Sequence, residues 1–332
     1  MTSVSNTDYK DLRKQIEISH LLDKQPIYQS VNVIVHFVLL VFSLSIVVIF
    51  KETLWILILN AFFLAFIFTQ LAFIAHDAGH KQLSEKRSVN RLIGNFMFIL
   101  IGISRNYWLR KHNTHHAHPN EEGFDPDIET PWIAFSEKQA LEKKGILRFI
   151  TKYQAFYFFF IILFQATALQ IGSISFLFKE RKKKYLEIFG IVISFLAYFT
   201  FLFYNLPFWY AIIFIIIHQG IFGFYLASVF APNHKGMLTP KKNHELDYLH
   251  LQILTARNVR PGIITDYWYG GLNYQIEHHL FPNMSRNKLK HAREITQNFC
   301  KENKIPYYET SMVKSYVEIL QYLHKVSEPL RK

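Results

Sequence analysis

The sequence predicts an all-α integral membrane protein: four transmembrane helices in two hairpins, interfacial helices, and a cytosolic helical cap that carries clustered histidines. Three observations lead there. Half of the 332 residues are apolar and 32 are Phe. Long runs carry no charge at all. Nearly every Lys and Arg lies outside those runs, on what would be one face of a bilayer.

The elements follow in order. Residues 1–30 are polar and contain no apolar core leading to a small-residue cleavage site, so they read as a cytosolic N-terminal segment and not as a secretory signal. Residues 31–332 then form one membrane domain. Apolar runs of 20 and 22 residues at 31–50 and 54–75 make the first hairpin, tightly linked through Lys51, Glu52 and Thr53. A helix rising ~1.5 Å per residue needs about 20 residues to cross ~30 Å of hydrocarbon. The 12-residue run at 92–103 is therefore expected to be interfacial or re-entrant. Runs at 186–204 and 208–230 make the second hairpin, and Pro207 in its link cannot continue a helix. Residues 231–332 form the C-terminal part of the cytosolic cap.

Charge decides the place of the long run at 153–178. If it lies along the surface instead of crossing, 36 of the 37 Lys and Arg residues (all but Lys51) fall on one side. If it crosses, they divide between the two faces. The interfacial placement is expected. It also accounts for the net charge of +12 through cytosolic loops facing anionic lipid, and with no nucleic-acid motif present no nucleic-acid partner is expected.

The histidines fall where this topology makes them cytosolic. His76 and His80 (HDAGH) follow the second span, His112, His115 and His116 (HNTHH) follow the short run, and His278 and His279 (QIEHH) lie beyond the fourth span. Spacings of i, i+3 and i+4 put each cluster on one helix face, where the rings can converge. With 16 His in the chain, an HxxHH triplet arises by chance about 0.04 times, so the motif needs a reason.

Metal binding supplies one. Imidazole suits zinc, copper, nickel and iron, but seven histidines exceed one coordination sphere, so two ions are implied. The nearest approach to a zinc-peptidase HExxH, His244-Glu245 followed by His250, has the wrong interval. Iron explains the membrane setting, because an iron pair with dioxygen can attack unactivated C–H bonds of a lipid chain. The single cysteine, Cys300, rules out an internal disulfide framework and any four-Cys centre built from this chain.

HDAGH, KHNTHHAHPNEEGFDPDIE, FAPNHKGM, LTARNVRPGIITDYWYGGLNYQIEHHLFPN and CKENKIPYYETS together resemble the membrane-bound fatty acid desaturases, in a bacterial branch with a front-end-like third box. The resemblance runs from about residue 60 to residue 325. It implies a histidine-held di-iron centre with dioxygen as co-substrate, and His76, His80, His112, His115, His116, His278 and His279 as catalytic ligands. It adds His234, in the PNHKG stretch. Gln275 stands where many desaturases have a third-box histidine, as in front-end enzymes, and is carried as either a ligand or an outer partner. Asp77, Asp125, Asp127, Asp266 and Glu277 are candidates to accept the outer imidazole N–H and fix the tautomer, or else are surface carboxylates; Asn233 could serve in either position.

The remaining histidines read differently. His218, inside the fourth span, is ~24 Å along a helix from His234 and is expected to bond a neighbouring helix or line a substrate tunnel. His118 is expected to be solvated, and His36, His244, His250 and His291 structural or superficial. The implied reaction is O2-dependent insertion of a double bond into a fatty acyl chain carried on CoA, carrier protein or lipid. The chain shows no haem-binding His-Pro-Gly-Gly, no GxGxxG and no cysteine cluster, so a separate electron donor is expected, a ferredoxin or small cytochrome b with its reductase. The expected site is a bacterial inner membrane, active side cytosolic. A lipid hydroxylase or alkane monooxygenase of the same superfamily is the rival, disfavoured by QIEHHLFP. A metal transporter would need ionisable residues within its spans.

Overall fold

The computed structural model describes residues 7–180 and 185–332; residues 1–6 of the expected N-terminal segment lie outside it. Along the chain come α1 (Thr7–Ile18), α2 (Pro26–Ile49), α3 (Leu54–Gly79), α4 (Arg87–Leu100), α5 (Arg105–Ala117), α6 (Glu137–Glu142), α7 (Gly145–Lys152) and α8 (Gln154–Ile161). A 3-10 turn, Ile162–Phe164, leads to α9 (Gln165–Lys179), α10 (Tyr185–Asn205), α11 (Phe208–His234) and α12 (Tyr248–Leu254). The strand β1 (Asn258–Val259), α13 (Ile263–Trp268), α14 (Gln275–Leu280), α15 (Leu289–Glu302), β2 (Glu309–Thr310) and α16 (Met312–Val326) complete the order.

Local chemistry fixes many boundaries. Pro26 opens α2, where a missing N–H costs nothing. Side-chain oxygens of Ser136, Asp247 and Ser311 cap α6, α12 and α16 by accepting from the backbone N–H of Gln139, His250 and Lys314. Five segments are long and apolar enough to cross a membrane: α2, α3, α8 with α9 counted together, α10 and α11. The expected runs recur with small extensions. Two of these matter, because α3 continues through His76 and α11 continues to His234. Both histidines thus sit in the last turn of a long helix and not in the loop beyond it.

The chain divides into two compact units. The first comprises the residues up to Asp23, Lys111–Ile161 and Val229–Lys332; the second comprises Lys24–Arg110 and Ile162–Ser228. In the first unit, Leu12 and Ile16 of α1 join Leu249, Ile253, Tyr274, Ile276, Leu280 and Phe299 in one core. The only β pairing among the described residues, a two-residue parallel ladder, sets Asn258 against Glu309 and Val259 against Thr310. Cys300 is fully buried in the same core, and burial pushes its thiol up to about 12. Thiolate is the reactive form. The folded protein is therefore expected to resist maleimide at pH 8 and to react once denatured, as mass spectrometry would read; rapid labelling of the folded chain would contradict the packing.

In the second unit, polar contacts pin the apolar helices together. Ser43 Oγ donates to Asn60 Oδ1 at 2.8 Å between α2 and α3, and Gln70 Nε2 donates to the Tyr225 hydroxyl at 3.0 Å between α3 and α11. His218 is fully buried, with Nδ1 2.7 Å from the Tyr198 hydroxyl of α10. That is the interhelical bond anticipated for it. Such bonds matter in spans because lipid offers a freed polar group no partner.

Candidate metal centre

The site grows from three short helical stretches of the first unit. In α5, His112, His115 and His116 share one face, and in α14, Gln275, His278 and His279 repeat the i, i+3, i+4 spacing. The end of α11 adds His234. The rings meet: His116 stacks on His279 at 4.2 Å between centroids, and His278 lies 4.9 Å from His116 and 6.3 Å from His112. His112 Nε2 and His116 Nε2 are 3.0 Å apart.

Three of these imidazoles converge as ligands would. His234 Nε2 lies 3.3 Å from His115 Nε2 and 3.1 Å from His279 Nε2, so three ring nitrogens aim at one point. Their other nitrogens are each taken. His115 Nδ1 is 2.9 Å from Asp125 Oδ2, His234 Nδ1 2.9 Å from the Thr255 carbonyl, and His279 Nδ1 2.8 Å from Gln252 Oε1. Every one of those partners is an acceptor, so each Nδ1 carries the proton and each Nε2 offers its lone pair inward. The donor set fits a metal that binds neutral imidazole, iron included.

The carboxylates beside His115 also make its ring a stronger base. Burial alone would lower its pKa, but the Asp125 carboxylate, then Asp127, hold it raised. Burial likewise opposes ionisation of Asp127, yet Lys111 Nζ at 2.5 Å keeps that carboxyl low. Asp127 Oδ2 sits 3.5 Å from His115 Nδ1, outside hydrogen-bond range, so Asp125 is the direct partner.

The other candidates fall elsewhere. Gln275 Nε2 lies 2.9 Å from His234 Nε2, while its Oε1 accepts from Asn233 Nδ2 at 2.9 Å; Asn233 also donates to the Leu272 carbonyl. Glu277 accepts from Asn258 Nδ2 at 2.7 Å and from the Tyr307 hydroxyl at 2.9 Å, and burial pushes its carboxyl up to about 7. Asp266 accepts from Asn273 Nδ2 and the Tyr274 hydroxyl, just ahead of α14, so it steers that helix from outside the ring cluster. His118, His244 and His250 contact the carboxylates of Glu121, Glu121 and Asp247; His36 sits 2.8 Å from the Asn32 carbonyl; His291 is exposed.

In the second unit His76 and His80 close α3 with ring centroids 4.7 Å apart and Trp108 beside both. Asp77 Oδ1 lies 3.5 Å from His76 Nδ1. Gly79 makes room here, since a β-carbon would collide with the Trp108 ring. That explains the glycine in HDAGH.

Two residues that sequence reasoning missed complete the first unit's cluster. Gln252, fully buried on α12, accepts from His279 and donates to the His116 carbonyl at 3.0 Å, joining α5 and α14. Asn120 Nδ2 donates to the carbonyls of His234, at 2.9 Å, and Thr255. Replacing Gln252 with Leu should weaken iron binding by roughly 10- to 100-fold, the usual cost of a lost outer partner. Chelator competition measures it. Gln252→Glu, which keeps the acceptor, should retain more; equal losses for both variants would mean only packing is disturbed.

Comparisons with known proteins point to one family. A family model described as Fatty acid desaturase matches residues 53–311. The chain is similar to the Delta(6)-fatty-acid desaturase fat-3 of Caenorhabditis elegans, 33% identical over 294 residues, covering 82% of this chain and 66% of that protein. It is similar also to the Acyl-lipid (9-3)-desaturase of Physcomitrium patens, 28% identical over 340 residues, covering 97% of this chain and 63% of the relative. The Delta(8)-fatty-acid desaturase of Euglena gracilis is 28% identical over 332 residues, covering 95% and 78%. The chain thus spans just under two thirds of the length of the first two.

Proposed function

Because the chain belongs to the fatty acid desaturase family, we propose that it inserts a double bond into a fatty acyl chain, using dioxygen and external electrons, at a histidine-held pair of iron ions. The observation that carries this reading is the convergence of the His115, His234 and His279 Nε2 atoms with every Nδ1 held by an acceptor. The eight histidines His76, His80, His112, His115, His116, His234, His278 and His279 are proposed as ligands. When bound, the irons supply the oxidising power that removes two hydrogens from adjacent methylenes while dioxygen is reduced to water. The chain's own part is to fix tautomers, through Asp125, Gln252 and the Thr255 carbonyl, and to keep the rings from turning when the ions change charge.

Contacts within the first unit support the four-span topology by parity. Gln154 Nε2 donates to the Leu323 carbonyl at 3.0 Å and Arg331 Nη1 to the Lys152 carbonyl at 3.1 Å, which supports a reading in which the chain before α8 and the chain after α11 share one side of a membrane. An even number of crossings lies between them. If α10 and α11 both cross, α8 and α9 do not, as the positive-inside count demands. The Tyr9 hydroxyl, donating to the Leu280 carbonyl at 3.1 Å, supports the same side for the N-terminal helix, with α2 and α3 as the other hairpin. The basic composition supports a cytosolic reading of this side, where an acidic electron donor would be steered to the site.

Expression with a ferredoxin or cytochrome b donor in a host lacking the product tests the activity. Mass spectrometry of fatty acid esters should show chains lighter by two hydrogens and should locate the new alkene. After the first hydrogen is lost the carbon radical can take up oxygen instead, and small differences in alignment decide which occurs. Hydroxylated chains without new alkenes would overturn desaturation in favour of the hydroxylase reading.

A further inference from the structure

The family model ends at residue 311, one residue before α16 begins. Helix α16 carries apolar side chains that the fold leaves uncovered. Val313 is 73% exposed, and Val317, one turn on, is exposed too. The parallel ladder of β1 and β2, extended by the Arg260 N–H donating to the Thr310 carbonyl at 2.8 Å, makes α13 and α16 leave side by side. Ile263 and Ile264 at the start of α13 are 93% and 81% exposed. Isoleucines so open to water are unfavourable by about 25 cal/mol per Å² of apolar surface.

Helix α8 extends the same surface. It runs antiparallel to α16, with Phe159 against Tyr316 at 5.9 Å and Phe156 near His324 at 6.3 Å between centroids. Phe156 (75% exposed) and Phe160 face outward one turn apart. Just before it, α7 exposes Ile146 and Phe149. Cations interleave with these residues: Lys144 just before α7, Arg148 on α7, Arg260 ahead of α13, Lys314 and Lys325 on α16, all exposed.

We propose that α16, with α7, α8 and the start of α13, forms a face of the first unit that rests in the headgroup and upper acyl layer of the phospholipid bilayer. Lipid is favoured over a protein partner by two observations. First, α8 opens a 26-residue stretch apolar enough for the bilayer itself, so the exposed apolar surface of α16 continues one already suited to lipid. Second, long basic side chains beside each apolar pair can bury their stems and hold their charges at phosphate level, the pattern of interfacial helices. The surface thus seats the unit that holds the imidazole cluster directly at the acyl chains, independently of the spanning helices.

The test uses the full chain in phospholipid vesicles, with single cysteines at Val313, Ile264 and, as a water-exposed control, Lys304, each carrying a fluorophore on a Cys300→Ser background. Should that background misfold, wild-type Cys300, buried and unreactive, can stay. Quenching by nitroxide-bearing lipid should be several-fold stronger at 313 and 264 than at 304, and quenching by a water-soluble nitroxide weaker. Quenching at 313 and 264 by the aqueous reagent alone would overturn the proposal. So would protection from both quenchers, which would assign the face to a second copy or another protein. Depth is read without turnover, so the result does not depend on whether the chain desaturates.

Discussion

Replacing His279 with Ala should strip iron from the protein and abolish acyl chain desaturation while the helices stay folded. His279 is where the site's contacts concentrate. Its Nε2 lies 3.1 Å from that of His234, its ring stacks on His116, and its Nδ1 is held by Gln252. Removing it deletes one of three convergent donors and frees a second residue that orients the others. The loss should exceed the roughly 10- to 100-fold attached to an outer partner. Metal analysis would read about two irons per chain in the wild type and less than half of that in the variant, with circular dichroism unchanged. The exposed His291→Ala serves as control. A His279→Ala protein with full iron would remove the imidazole cluster from the mechanism.

A comparably large effect is expected from Arg257→Met, on stability. This guanidinium is 1% exposed. Its Nη1 donates to Glu318 Oε2 at 2.6 Å, its Nη2 to the Lys235 carbonyl at 2.5 Å, and its Nε to the Pro232 carbonyl. The backbone N–H of Arg257 donates to the Asn233 carbonyl at 2.9 Å. Three of these contacts clamp the end of α11, whose last residue is His234, and the fourth ties it to α16. Methionine fills similar volume but leaves two carbonyls without this donor and Glu318 with only its Tyr308 and Lys314 contacts, and breaking a largely buried pair this way costs about 3 kcal/mol. Thermal melts should show the loss, and iron occupancy should fall with it. Arg257→Lys keeps a charge but not the planar fork and should fall between. A Met variant melting like the wild type would show that the clamp is dispensable.

What the sequence disclosed and what it hid divide along a physical line. Side-chain periodicity was legible: HNTHH and QIEHH place their histidines on single helix faces, and α5 and α14 are helical there. The same periodicity, applied further, separates Glu277 from the site, because two residues from Gln275 is about 200° around a helix. Its carboxylate accordingly meets Asn258 and Tyr307. Tertiary approach was not legible. Gln252 lies in LHLQILTAR with no local mark of its role, and the Thr255 acceptor is a backbone carbonyl, which every residue has. Asp125 was one of five carboxylates named as outer partners or surface groups, and it meets His115; Asp127 beside it turned instead to Lys111.

The first unit is assembled from three separated stretches of chain, and its imidazole cluster draws on two of them, with His115 in one and His234 and His279 in another. During synthesis, then, the nascent chain presents α5 well before its partners exist, and no local fold can complete the site. Contacts of such long sequence separation form late and slowly. The cluster therefore closes only when the C-terminal third has left the ribosome. A chain cut short before residue 279 lacks one of the three converging imidazoles and leaves the other two without it.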